Sequence, residues 1–186
     1  MSIRAKRWFY DQLTEKGIDL SFLDALITRQ KDPANFNRLT ARQLYLVAHP
    51  LKDENEAAGA IEAFKRIVWK FPNESFTPDA CLSAFELQVK QKQYDGALAL
   101  ARAMIERYPD AEVGKGGPLG AIGYFSAGVV HFARQEYREA ADAFETVARD
   151  YPAAANIGGV SLRSLIAEQY LETVARKDMK IQGIHD

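Results

Sequence analysis

The stretch Ala121–Pro152, AIGYFSAGVVHFARQEYREAADAFETVARDYP, decides the fold. Tyr124, Ala127, Gly128 and His131 recur at the spacing of one helical face, and Ala140, Phe144 and Val147 recur at similar spacing further on. Two short helices with a tight turn near Arg134–Tyr137 follow from this, and Tyr151-Pro152 stops the second. Gly128 and Ala140 are small enough to let the helices approach closely, with Phe144 filling the space between pairs. Such a hairpin is amphipathic on two sides and cannot bury both alone. It needs neighbours.

The second half of this pattern returns twice. Ala60, Phe64 and Phe71-Pro72 repeat it, and Ala97, Ala101 and Tyr108-Pro109 form a weaker copy. The aromatic-Pro ends lie 37 and 43 residues apart, a period loosened by insertions. Together with Tyr124, Gly128, Ala140, Phe144 and Pro152, these residues resemble the tetratricopeptide repeat, a helical hairpin of about 34 residues. The pattern is similar to that of bacterial proteins whose repeats end in aromatic-Pro, envelope assembly lipoproteins among them. A leader and lipidated cysteine of their kind are not read in this sequence, so an envelope location is not expected.

The resemblance implies an all-α fold, a right-handed α-solenoid of three degenerate hairpins over 39–72, 77–109 and 119–152. Helical segments over 1–38 and 153–178 are expected to cap its ends, with a tail over 179–186. The implied activity is non-enzymatic: a scaffold, adaptor or assembly factor that holds a partner peptide or helix.

Composition agrees with a folded chain of this kind. The 186 residues are 47% hydrophobic and 26% charged, enough for a sizeable core. A net charge of −1, from 24 basic and 25 acidic residues, provides no global field for nucleic acid or anionic membrane. One cysteine, Cys81, excludes an intramolecular disulfide and a cysteine-based zinc site. Met1–Lys16, broken by Arg4, Lys6, Arg7 and Asp11, does not read as a signal peptide, so a cytoplasmic location is expected. The periplasm stays open if a leader has been removed.

Along the chain, Ile3–Lys16 reads as a helix with Ala5, Trp8, Phe9 and Leu13 on its apolar face, stopped by Gly17. Ser21–Arg29 is a second, and Gln30–Arg38 a loop. Thr40 is expected to cap a helix over Ala41–His49 that Pro50 cuts short. Asp53-x-x-Glu56 reads as a capping box opening Glu54–Phe71. Thr77 caps Pro78–Lys90, with Pro78 first in the helix. Tyr94–Tyr108 follows, and a last helix is expected over about Gly159–Ala175 with Leu162, Leu165, Ile166, Tyr170 and Val174 on one face. Met179–Asp186 reads as a frayed tail.

No residue pattern points to catalysis, a cofactor or a metal. The glycine-rich AEVGKGGPLG lacks the closing Gly-Lys-Ser/Thr of a phosphate loop and reads as a plain connection. His49, His131 and His185 have no second ligand at a metal-binding interval. Glu54/Glu56 and Glu136/Glu139 sit at helix starts, where they favour the dipole. Cys81 falls at a packing position and reads as a buried inert thiol. The start Arg4-Ala-Lys-Arg-Trp-Phe-Tyr10 carries three positive charges, soon followed by Asp11 and Glu15, and reads as a capping helix with a solvated face.

In the resembled family the first helix of each hairpin lines a concave groove. Carried over, the groove consists of Ile122, Phe125, Val129 and Phe132; of Asp79, Leu82, Glu86 and Val89; and of Arg42, Tyr45 and His49. The helix Ala121–Ala133 is then apolar on both faces, unlike an exposed helix. Two readings of this remain. The last helix covers the face with Leu162, Ile166 and Tyr170, or a partner's amphipathic helix or apolar peptide lies there. A homo-oligomer joined through the apolar face is the alternative function. Tyr45, His49, Ser83, Ile122 and Ser126 stand where some family members carry a cationic clamp for acidic peptide tails, so that mode is not expected.

Overall fold

The structure, a computed structural model, describes residues 33–53 and 56–170. The helices expected over Ile3–Lys16 and Ser21–Arg29, Val174 and the tail from Met179 lie outside the described residues. Among the described residues every regular element is helical, and the strand-like features are two isolated bridges, Glu112 with Pro118 and Ala155 with Ser161. The chain divides into two compact units, Met1–Pro72 and Asn73–Asp186.

The first unit holds a 3-10 turn, Pro33–Arg38, followed by α1 (Ala41–Asp53) and α2 (Ala57–Lys70). Thr40 and Gln43 form a reciprocal capping box: Gln43 N–H donates to Thr40 Oγ1 (3.3 Å) and Thr40 N–H to Gln43 Oε1 (3.0 Å). Leu44, Val47, Ala48 and Leu51 of α1 and Ala60, Phe64, Ile67 and Val68 of α2 are fully buried. α1 does not stop at His49. It runs through Pro50 to Asp53. Pro50 lacks one helical donor, but continuing the helix buries Leu51 on the same face as Leu44 and Val47, and that burial outweighs one missing bond. α2 starts at Ala57, after Glu56, whose carbonyl accepts from Ala60 N–H (3.2 Å). The box expected over Asp53–Glu56 spans residues outside the described ones.

The second unit is a succession of five helices: α3 (Thr77–Lys90), α4 (Tyr94–Arg107), α5 (Leu119–Ala133), α6 (Tyr137–Asp150) and α7 (Leu162–Gln169). Each packs on the next, as in a tetratricopeptide-like solenoid. α3 begins one residue earlier than expected, with Thr77 buried inside it and Phe76 as the capping position.

All three hairpins close with the same backbone bond. The N–H five residues on donates to the last-turn carbonyl of the first helix: Glu56 to Leu51 (2.9 Å), Gln93 to Gln88 (2.8 Å) and Glu136 to His131 (2.9 Å). In the two hairpins of the second unit the turn passes through a left-handed residue, Lys92 (φ 56°) and Gln135 (φ 64°). The signature alanines Ala60, Ala97 and Ala140 are all fully buried. Gly128 fits directly under the Phe144 ring, so that any Cβ there would collide with it. The expected close approach of α5 and α6 is thus present.

α7 is shorter at its start than the sequence suggests. It begins at Leu162, with Ser161 Oγ accepting from Ser164 N–H (3.4 Å). Gly159 stands at φ +85°, a left-handed conformation that no helix contains, and the residues before Ser161 form a linker. Two linkers, 108–118 and 151–161, therefore match in length and position. In each, the N–H of the first leucine of the following helix donates back across the bridge: Leu119 to Ala111 (2.7 Å) and Leu162 to Ala154 (3.0 Å). The insertion that loosens the repeat period is this closed loop, and it explains the glycine-rich segment as a connection.

Candidate functional site

The first helix of each hairpin positions the residues expected to face a partner. On α3, Leu82 is buried, Val89 and Asp79 are half-buried and Glu86 is exposed. On α5, Ile122 is buried while Phe125, Val129 and Phe132 remain half-buried. These last three follow at i, i+4 and i+7 and so form a continuous stripe along one side of the helix. Gly128, one turn from Phe125 and from Phe132, flanks the stripe and presents its bare backbone to Phe144, which also meets Phe125 (centroids 6.0 Å apart). Among the described residues this side of α5 is apolar and partly covered.

The partial cover comes from the end of α7. The Tyr170 ring meets Phe125 edge-on (centroids 6.2 Å apart), Phe132 edge-on (5.0 Å) and Phe144 at a tilt (5.0 Å). Burial against this cluster pushes the Tyr170 phenol above its ordinary pKa. Leu162 and Ile166 are buried in the same core, which also takes in Ala140, Phe144 and Val147. Of the two sequence readings, these contacts bear on the first: the last helix brings Leu162, Ile166 and Tyr170 to this face. α7 reaches the stripe as the next helix in the succession, and its side chains leave Phe125, Val129 and Phe132 half-buried.

In the first unit Arg42 is exposed, and Tyr45 and His49 turn toward α2. Their rings pack on each other (4.5 Å, 69°), and His49 stands edge-on to Phe64 (5.2 Å, 87°), with Tyr45 at 6.3 Å from the same ring. Both are thus half-buried parts of an aromatic cluster inside the α1–α2 hairpin.

The polar groups near the hairpin ends form hydrogen bonds and ion pairs of a structural kind. His131 Nδ1 lies 2.7 Å from Glu136 Oε2 across the turn that Glu136 N–H already closes. Arg134 pairs with Glu136 Oε1 (2.7 Å) and with Asp95 Oδ1 of the preceding hairpin (2.7 Å), which ties α4 to the α5–α6 turn. The Asp95 hydrogen bond, ahead of the carboxylate charges, holds the Arg134 guanidinium above its ordinary pKa. Sequence reading missed the Glu136 bridge, although the spacing Gln88/Gln93 and His131/Glu136, shifted by the 43-residue period, is visible in the chain. Gln88 Nε2 in turn lies 3.5 Å from Gln93 Oε1.

Cys81 is buried, with Sγ 3.5 Å from the Leu100 carbonyl. Burial pushes its thiol up to about 12, so the nucleophilic thiolate is scarce at neutral pH. Among the described residues no three His, Cys, Asp or Glu side chains gather as a metal site. No helix among them is long and apolar enough to cross a membrane.

Comparison with known families matches residues 86–111 and 123–154 to the tetratricopeptide repeat. Both segments are similar to the tetratricopeptide repeat. The matched segments begin within α3 and α5 and run through the second helix of each hairpin to the aromatic-Pro end. A comparison with curated proteins found no match. Tetratricopeptide repeats generally mediate protein–protein interaction or assembly and are typically non-enzymatic scaffolds, and their stacked hairpins are what the second unit shows.

Proposed function

We propose that the chain is a non-enzymatic adaptor or assembly factor that takes a partner's amphipathic helix or apolar peptide on the first-helix face of its second unit. Phe125, Val129 and Phe132 of α5, with Glu86 and Val89 of α3, carry the contact. Leu82 and Ile122 are buried beneath it, and Tyr45 and His49 belong to the aromatic cluster of the first unit and take no part. The observation behind this is the α5 stripe: three large apolar side chains that the chain's own fold leaves half-buried. A partner's apolar side chains would complete the burial that the core cluster gives this stripe only in part. A preformed helical face limits the ordering cost of binding, so affinity comes from burying the stripe rather than from folding it.

Affinity capture with the tagged chain tests the reading. Val129→Glu keeps the ring cluster around Tyr170 and places a charge in the stripe. It is expected to lose the captured protein at least tenfold with helicity retained, while Arg102→Glu on the exposed side of α4 keeps it. Equal capture by both variants would reject the stripe as the contact. A homo-oligomer formed through the same face is the other reading of the stripe, and light scattering separates it: that reading requires wild-type dimers that Val129→Glu dissociates.

A further inference from the structure

The two long linkers touch each other, and the way they do so leaves one edge over. Lys115 N–H donates to the Ile157 carbonyl (3.2 Å) and Gly117 N–H to the Ala155 carbonyl (3.0 Å). The donors run forward along the first linker while the acceptors run backward along the second, so the pair is a short antiparallel contact between extended segments. The approach is close. A Cβ at Gly117 would lie 3.0 Å from Ala154 Cβ, and one at Gly116 would lie 3.1 Å from the Asn156 carbonyl. Only small side chains fit at this edge.

Shifted by the 43-residue period, Lys115 and Gly117 correspond to Gly158 and Val160. Among the described residues these two amides of the second linker meet no further linker. Instead the Asn156 side chain takes both: Oδ1 accepts from Gly158 N–H (3.0 Å) and from Val160 N–H (3.0 Å). The residue corresponding to Asn156 in the first linker is Val113, whose side chain has no acceptor. One side-chain oxygen in the second linker thus does what two carbonyls of a neighbouring segment do in the first. The linkers reach these arrangements through different left-handed glycines, Gly114 (φ 68°) and Gly159 (φ 85°).

The edge that Asn156 occupies is open to solvent. Gly158 and Gly159 are exposed, and Ile157 and Val160 are 43% and 48% exposed, large apolar side chains on a short turn. We propose that this edge is a docking site for an extended segment of a partner protein, with Asn156 as its removable stopper. The occupant is defined by the internal precedent. It offers two carbonyls two residues apart and carries a small side chain just before the first of them, as Ala154 precedes Ala155 opposite Gly117. Rotation of the Asn156 side chain into water exchanges its two hydrogen bonds for two from the incoming backbone, a near-balanced exchange that Ile157 and Val160 tip by burying apolar surface. The site lies on a linker, apart from the α5 stripe, and stands whether or not that stripe binds anything.

The test uses the full chain and a capped peptide of the sequence YPAAANIGGVS, copied from residues 151–161, as the probe. Backbone amide NMR reads the binding at millimolar concentrations. In Asn156→Val, which installs the first linker's residue, the Gly158 and Val160 amides are expected to lose their exchange protection. The peptide is then expected to shift those two signals with a Kd at least tenfold lower than for the wild type. Asn156→Asp keeps the acceptor and is expected to behave as the wild type. The proposal is overturned if the peptide leaves both signals of Asn156→Val unmoved, if it binds wild type and variant equally, or if both amides stay protected without the asparagine. None of these readouts involves Val129, so failure here and failure of the stripe are told apart.

Discussion

The hairpins α3–α4 and α5–α6 solve one packing problem with the sizes exchanged. At corresponding positions the first places Phe85 on its first helix and Ala101 on its second, whereas the second places Gly128 and Phe144. All four are buried. The total volume is similar, the closing bond is the same and the signature alanine is fully buried in both. What the repeat conserves is thus a filled space between two helices, and either helix can fill it. The difference has a consequence at the surface. With its bulk on α6, the second hairpin brings Phe144 within reach of Phe125 and Tyr170, so its core and the half-buried stripe form one aromatic cluster.

The largest effect is expected from Phe144→Ala, which removes the ring that fills the α5–α6 hairpin. A loss of about 3–5 kcal/mol in unfolding free energy is predicted, read by urea denaturation. The pair Gly128→Phe with Phe144→Ala imports the α3–α4 arrangement and is expected to recover part of that loss. If the pair is no better than the single change, the two hairpins are not exchanging one volume. Gly128→Ala alone drives a methyl against the Phe144 ring and is predicted to cost about 1–3 kcal/mol by the same measurement. Gly96→Ala in the other hairpin drives a methyl against the end of the Gln88 side chain, which can rotate away, and is expected to cost less than Gly128→Ala by the same measurement.

Tyr170→Ala sharpens the second half of the comparison, since Tyr170 touches the α5–α6 hairpin. A loss of about 1–2 kcal/mol is predicted, with faster hydrogen exchange at the end of α5 and none in α3. The smallest effect concerns Cys81 on α3. Its folded thiol stays protonated up to about 12, whereas the unfolded thiol ionises from about 9.0. The unfolded chain therefore gives up a proton that the folded chain keeps, so stability is whole below pH 9 and drains above it. The drain amounts to as much as about 1.4 kcal/mol per pH unit. Cys81→Ala is expected to remove that contribution, and a thiol reagent at pH 8 is expected to label the wild type only as it unfolds.

These contrasts show what a sequence of this kind exposes. The hairpins were legible because their signals are local: Thr40 four residues before Leu44, the buried alanines, and the aromatic-Pro stops at fixed distance. Pro50 misled because its cost is local while the burial of Leu51 that overrides it is tertiary. The start of the last helix was misjudged because Ser161 and Gly159 both carry stop-or-start chemistry, and only backbone geometry decides between them. The insertion behind the 43-residue spacing was visible as a number, but its pairing of one linker with the next joins residues that no local pattern connects. The face of α5 was legible as apolar on both sides. How far Tyr170 covers it depended on where α7 sits.

The central claim is that the α5 stripe meets another protein. A photoreactive phenylalanine analogue placed at Val129, and in a control at Arg102 on α4, tests it in the cell that expresses the chain. The account predicts a crosslinked protein of different sequence from position 129 and none from position 102. Equal crosslinking from both positions, or crosslinks at 129 to a second copy of this chain alone, would contradict it.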